Sequence, residues 1–100
     1  MRIVAYRHVR DYWLKHPDAE AALTHWLDVV GEANWQAPSD ALGAFSKAKV
    51  LNADRVRFEI SGGNFRLIAA FHFRRQIAYV KFVGTHAEYD RIDALTVSMF

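Results

Sequence analysis

The chain contains no cysteine among its 100 residues, which excludes a disulfide framework and any thiolate metal site. It has two prolines and five glycines, too few for a linker-like or low-complexity segment. No apolar run approaches the roughly 20 residues that cross a bilayer. Residues 1–12 alternate basic and apolar side chains without an apolar signal-peptide core, so no export signal is read. A Gly-rich phosphate loop, a G-x-S-x-G elbow and a carboxylate cluster spaced for two metals are all missing. Aromatic side chains are abundant instead: three Trp, four Tyr and seven Phe in a 52% hydrophobic chain. Such a load excludes intrinsic disorder. The expectation is a single soluble, cytoplasmic domain over residues 1–100, with no cofactor, no metal and no membrane contact.

The net charge of +2 is unevenly spread. Residues 1–52 are neutral, with six basic and six acidic side chains. Residues 53–83 hold Arg55, Arg57, Arg66, Arg74, Arg75 and Lys81 against Asp54 and Glu59, a local charge of +4. Residues 84–100 carry −2. A basic segment of this kind points to a polyanionic partner.

Periodicity divides the chain into elements. Residues 1–6 are β-prone and suit an edge strand. A short helix from Val9 to Lys15 must end or bend at Pro17. Asp18 then offers an N-cap to a helix over Ala19–Ala33, whose apolar face is Leu23, Trp26, Leu27 and Val30. Ser39 or Asp40 caps a helical turn through Phe45. From Arg55 the period becomes two. Ser61-Gly-Gly-Asn64 is a hairpin turn, Arg75-Gln76 a second turn, and the strands run to Ile60, from Phe65 to Phe73, and from Ile77 to Val83. Thr85 caps a last turn through Arg91. The predicted architecture is α+β: an N-terminal strand and two helices packed on an antiparallel meander, with a short C-terminal helical turn.

A turn on Gly62-Gly63 places Phe58 opposite Leu67 and Glu59 opposite Arg66. A two-residue turn at Arg75-Gln76 places His72 opposite Tyr79 and Ala70 opposite Lys81. Together these put Arg57, Glu59, Arg66, His72, Arg74, Tyr79 and Lys81 on one face. Such a face suits a phosphodiester. Arg and Lys hold phosphate oxygens and stabilise extra charge in the transition state, while His or Tyr moves the protons of a 2′-hydroxyl attack. Simpler readings stand beside this one. Alternating Arg and Lys also serve to solvate a sheet face, Glu59 and Arg66 suit a weak cross-strand ion pair, and a lone His72 is commonly structural. Trp13, Trp26 and Trp35 suit a core or a partner groove better than base stacking.

The string Val83-Gly-Thr-His-Ala-Glu-Tyr-Asp-Arg-Ile-Asp-Ala94 resembles the T-H-x-E-Y-D signature of the HigB toxins of bacterial type II toxin–antitoxin pairs, a RelE-like branch. Matches in the same order are Glu32-Ala-Asn-Trp35 with Pro38, Ala53-Asp-Arg-Val-Arg-Phe-Glu-Ile60, Gly63-Asn-Phe-Arg-Leu67 and Ala78-Tyr-Val-Lys-Phe-Val83. The resemblance implies a small RelE-like domain and a metal-independent endoribonuclease that cleaves mRNA, usually on the translating ribosome. It also implies neutralisation by a HigA-type helix-turn-helix antitoxin, so that operator DNA is met only through that partner. Carried over, His86, Glu88, Tyr89 and Asp90 match the signature, Arg66 matches the Arg after the Gly-Asn turn, and Lys81 stands at a basic strand position. The candidate catalytic set is Arg66, Lys81, His86, Tyr89 and His72. Arg55, Arg57, Arg74, Arg75 and Tyr79 are candidates for RNA contact, with Glu88 and Asp90 structural beside the site. A non-catalytic module of the same fold, or a toxin acting on a protein target such as gyrase, is the alternative reading.

Overall fold

The computed structural model describes residues 1–100. Its strands are β1 (Arg2–Val4), β2 (Lys49–Val50), β3 (Arg55–Ile60), β4 (Phe65–His72) and β5 (Ile77–Thr85). Its helices are α1 (Tyr6–Lys15), α2 (Glu20–Glu32), α3 (Asp40–Ala44) and α4 (His86–Tyr89). The strands form one mixed sheet in the order β1-β5-β4-β3-β2, with β1 parallel to β5 and the other pairs antiparallel. The α+β architecture is as the periodicity predicts.

The first helix begins earlier than its apolar spacing suggests. β1 pairs with Ile77–Tyr79 and stops at Val4. Ala5 then turns into the left-handed region (φ 80°), and its carbonyl accepts from the amides of His8 and Val9. Asp18 caps nothing: it lies inside a 3₁₀ turn over Pro17–Ala19 that leads into α2. The apolar face of α2 is as expected, with Leu23, Trp26, Leu27 and Val30 all buried. Trp26 meets Phe58 edge-on at 5.4 Å, tying helix to sheet. Truncating so large a buried side chain to Ala costs roughly 3–5 kcal/mol.

Phe58, Val56 and Ile60 on β3, Leu67, Ala69 and Phe71 on β4, and Ala78, Val80 and Val83 on β5 complete the inner face of the core. The first hairpin has the predicted register, with Glu59 opposite Arg66 and Ile60 opposite Phe65. The second does not. His72 stands opposite Ile77 rather than Tyr79, and Tyr79 stands opposite Ala70, the residue expected to face Lys81. The cause is the turn: Gln76 adopts a positive φ of 56° and its amide returns to the carbonyl of Phe73. Phe73–Gln76 are therefore all loop, and the register moves by two residues. A shift of two keeps side chains on their own face.

A second irregularity does not keep them there. Ala69 pairs with Val80 but Ile68 pairs with Phe82, leaving Lys81 as an extra residue in a β-bulge. Beyond it the alternation of β5 is inverted. Val83 joins the core, while Phe82 turns to the outer face with Ile68. Both outer residues are nonetheless buried.

Candidate active site

Arg66 stands on the outer face of β4 and is 8% exposed. Its Nη1 donates to the carbonyl oxygens of Gly63 and Phe65. Its Nε is buried with no hydrogen-bond partner, and no carboxylate pairs with the guanidinium. The expected ion pair with Glu59 does not form. Glu59 instead accepts from Arg57 Nη2 at 3.3 Å along the same strand. The hairpin turn makes room for this seat. Gly63 has φ +95°, and a Cβ there would lie 2.8 Å from Glu59 Oε1 and 3.3 Å from Arg66 Nη1.

The Tyr89 ring approaches Arg66 from α4, its centroid 5.9 Å from the guanidinium carbon, within cation–π range. α4 is placed by two sets of bonds. Thr85 and Glu88 form a reciprocal capping box: the Glu88 amide donates to Thr85 Oγ1 at 3.1 Å, and the Thr85 amide to Glu88 Oε1 at 2.8 Å. The His86 amide donates to the Asn64 carbonyl at 3.0 Å, pinning the helix to the hairpin turn. Gly84 leaves room for the ring of Phe82, two residues earlier on β5, which would lie 2.6 Å from a Cβ there. Phe82 in turn meets Tyr89 edge-on at 6.2 Å.

His86 opens α4 with its Nδ1 3.1 Å from Asp90 Oδ2. The carboxylate thus lies beside Nδ1 and leaves Nε2 turned away from it. Both side chains are more than half exposed. Lys81 lies three residues along β5 from Gly84, the partner of Arg66, roughly 10 Å of strand. Its Nζ sits 5.5 Å from the centroid of the Tyr79 ring. Arg66, Tyr89 and the His86–Asp90 pair thus gather at one end of the outer face, with Lys81 toward its middle.

Other candidates lie elsewhere. His72 ends β4, six residues from Arg66 and so roughly 20 Å away. Its Nδ1 accepts from the Arg75 amide at 3.2 Å, and Arg74 and Arg75 are exposed beside it on the loop. Arg55 is half-buried under the C-terminal segment, its Nη1 donating to the carbonyls of Ala94 (3.1 Å) and Val97 (2.8 Å). Arg57, besides Glu59, donates to the Lys47 carbonyl.

Tyr12 of α1 goes unremarked in the sequence pattern, although its spacing from Val9 places it on the inner side of the helix. Its hydroxyl is buried without a partner, and burial, with the Glu88 and Asp18 carboxylates nearby, pushes its pKa up to about 12. It borders a cleft between α1 and the C-terminal segment, with Asp11, Lys15, Val83, Glu88 and Met99. Residues 93–100 themselves have neither helical nor strand periodicity, and nothing in the sequence announces their path.

Chemically, this end of the sheet offers a sequestered cation, a second cation along the strand, a phenol and an oriented imidazole. No group of three or more His, Cys, Asp or Glu side chains is placed to hold a metal ion. No helix is long and apolar enough to cross a membrane.

Residues 19–92 match the model of a family described as HigB toxin, RelE-like toxic component of a toxin–antitoxin system. A curated relative, the mRNA interferase HigB of Escherichia coli O6:H1, is 26% identical over 99 residues, covering 92% of this chain and 91% of its own. The matched span includes β3, β4, β5 and α4, and hence Arg66, Lys81, His86 and Tyr89.

Proposed function

The chain belongs to the HigB family of RelE-like toxins, the toxic components of toxin–antitoxin systems, and from that membership we propose that it cleaves messenger RNA by side-chain acid–base chemistry. The observation that carries this reading is Arg66: a guanidinium almost withdrawn from water, whose cross-strand neighbour Glu59 is engaged by Arg57 instead of pairing with it. Burying an unpaired charge is costly unless an anion completes the site. The scissile phosphate of an RNA strand is such an anion.

Arg66 Nη2 makes no bond within the protein and is the edge that faces a phosphate oxygen. Lys81 meets the same strand further along β5. The 2′-oxygen attacks phosphorus, forming the 2′-O–P bond as the P–O5′ bond breaks. Extra charge builds on the non-bridging oxygens, where the guanidinium stabilises it. His86 Nε2, beside Asp90, moves one of the two protons, from the 2′-hydroxyl or to the departing 5′-oxygen, and water handles the other. Tyr89 holds the guanidinium plane and offers a stacking surface for a neighbouring base. His72, Arg74 and Arg75 form a second basic point at the other end of the sheet, suited to RNA backbone beyond the cleaved bond.

The partner that silences this activity is a HigA-type helix-turn-helix antitoxin, and the setting is the translating ribosome in the cytoplasm. The 26% identity to an mRNA interferase supports the reaction class. The test is induction of the chain with and without the antitoxin, following growth and message length. Arrest with cleaved messages, abolished by R66A and H86A in folded protein, is the expected result. Arrest with intact messages and DNA-damage signalling overturns the nuclease reading and favours a gyrase-type target.

A further inference from the structure

The bulge in β5 leaves Lys81 without a partner on β4, and bulges characteristically re-aim a side chain. A bulged residue also loses the ladder bonds that fix its peptide planes. The carbonyl of Lys81 is met from outside the sheet, by the amide of Met99 at 2.9 Å. Met99 belongs to no helix or strand. Two further contacts tie its segment to the rest of the fold: Phe100 stacks on His8 of α1 with centroids 4.4 Å apart, and the Arg55 guanidinium grips the carbonyls of Ala94 and Val97. Arg55 lies on β3, so the segment crosses β4 to reach Lys81 on β5.

We propose that Arg55 is a positioning residue for Lys81. By fixing residues 94–97 it holds the Met99 amide on the bulge carbonyl, and this sets the direction in which the Lys81 ammonium leaves the sheet, over the Tyr79 ring. The assignment gives a physical reason for an arginine whose donors are spent on main-chain carbonyls rather than left free on a basic face. It rests on the reading of Lys81 as a phosphate contact.

The experiment uses the full chain with R55M, M99P, M99A, K81M and the double variant R55M/K81M. M99P removes the amide donor, whereas M99A shortens the side chain and keeps it. Single-turnover cleavage of mRNA in a reconstituted translation reaction is expected to fall roughly ten-fold for R55M, chiefly in kcat. M99P is expected to fall below M99A. R55M/K81M is expected to cleave no more slowly than K81M alone, because Arg55 acts only through Lys81. Additive losses in the double variant overturn the proposal and return Arg55 to direct RNA contact.

A second readout does not depend on cleavage. The Lys81 side-chain protons lie over the Tyr79 ring, so their NMR signals are expected to be ring-current shifted in the wild type and in M99A, and to relax toward free-lysine values in R55M and M99P. Unmoved signals overturn the positioning role whatever the activity. A wild-type chain that cleaves nothing, yet shows these shifts and their disappearance in R55M, places the failure in the nuclease reading instead.

Discussion

Arg66 and Tyr89 meet at 5.9 Å although they come from different elements, one from the second strand of a hairpin and the other from the short helix that follows β5. Their meeting depends on three local features: the Gly62-Gly63 turn, the Thr85–Glu88 capping box and the bond from the His86 amide to Asn64. Replacing Arg66 with Met keeps most of the stem and deletes the guanidinium. RNA cleavage is expected to fall by roughly 10²–10³, as for removal of a main transition-state donor. The deleted group is a buried cation in no ion pair, but it also donates to the Gly63 and Phe65 carbonyls, so thermal stability should change little. Cleavage rate and Tm measured on the same preparation check both parts.

The His86–Asp90 contact orders a second pair of variants. H86A is expected to lower cleavage by roughly 10²–10⁴, the range of a missing acid–base group. D90N leaves the imidazole in place but removes the negative charge beside its Nδ1, so its effect should be smaller. The combined variant should be no worse than H86A. An additive double effect would show that Asp90 acts on its own.

Tyr12 predicts an alkaline weakness. Its pKa is raised from 10.0 to about 12, chiefly by burial and then by the Glu88 and Asp18 carboxylates. The folded protein therefore keeps the phenol protonated where the unfolded chain has released that proton. This stabilising contribution is complete below pH 10 and is lost as pH rises from 10 toward about 12. Urea unfolding at pH 8, 10 and 11 should show the decline. Y12F removes a buried hydroxyl that has no partner, so it should flatten this decline at a cost near zero, or gain about 1 kcal/mol, at neutral pH.

The loop carrying Arg74 and Arg75 predicts a split between binding and chemistry. R74A/R75A is expected to raise the RNA or ribosome concentration needed for half-maximal cleavage and leave the saturated rate unchanged. The slope of log affinity against log salt should shrink by about one for each phosphate that is no longer neutralised. An equal fall in the saturated rate would move these residues into the reacting site.

The inner half of the fold is legible in the sequence because its signals are local. The spacing of Leu23, Trp26, Leu27 and Val30 and the alternation around Phe58 and Leu67 each report one buried face. The Gly-Gly turn sets one register for the same reason. The second hairpin departs from its expected register because Gln76 adopts a left-handed conformation that its residue type does not advertise. The bulge at Lys81 leaves no mark either, since Phe82 and Val83 are both apolar and either could face the core. Likewise, Arg55 has the character of an RNA contact until the path of residues 94–97 above it is known. In the candidate site, residue types and motif are legible, while the division of cations into two groups roughly 20 Å apart belongs to tertiary structure.

The extra residue in β5 also gives that strand a single position where its length can change without turning side chains to the other face. Were Lys81 removed, the bulge would close into a regular ladder, with Val80 still opposite Ala69 and Phe82 still opposite Ile68, so every later side chain keeps its face while the outer face loses its cation. Changes of two residues among related chains should therefore collect in the loop at Phe73–Gln76 and loss of one at the bulge, and length changes should be absent between Phe82 and Thr85, where they would invert the faces. The lysine at the bulge can be substituted or even deleted with the faces of β5 intact, but only at the expense of activity.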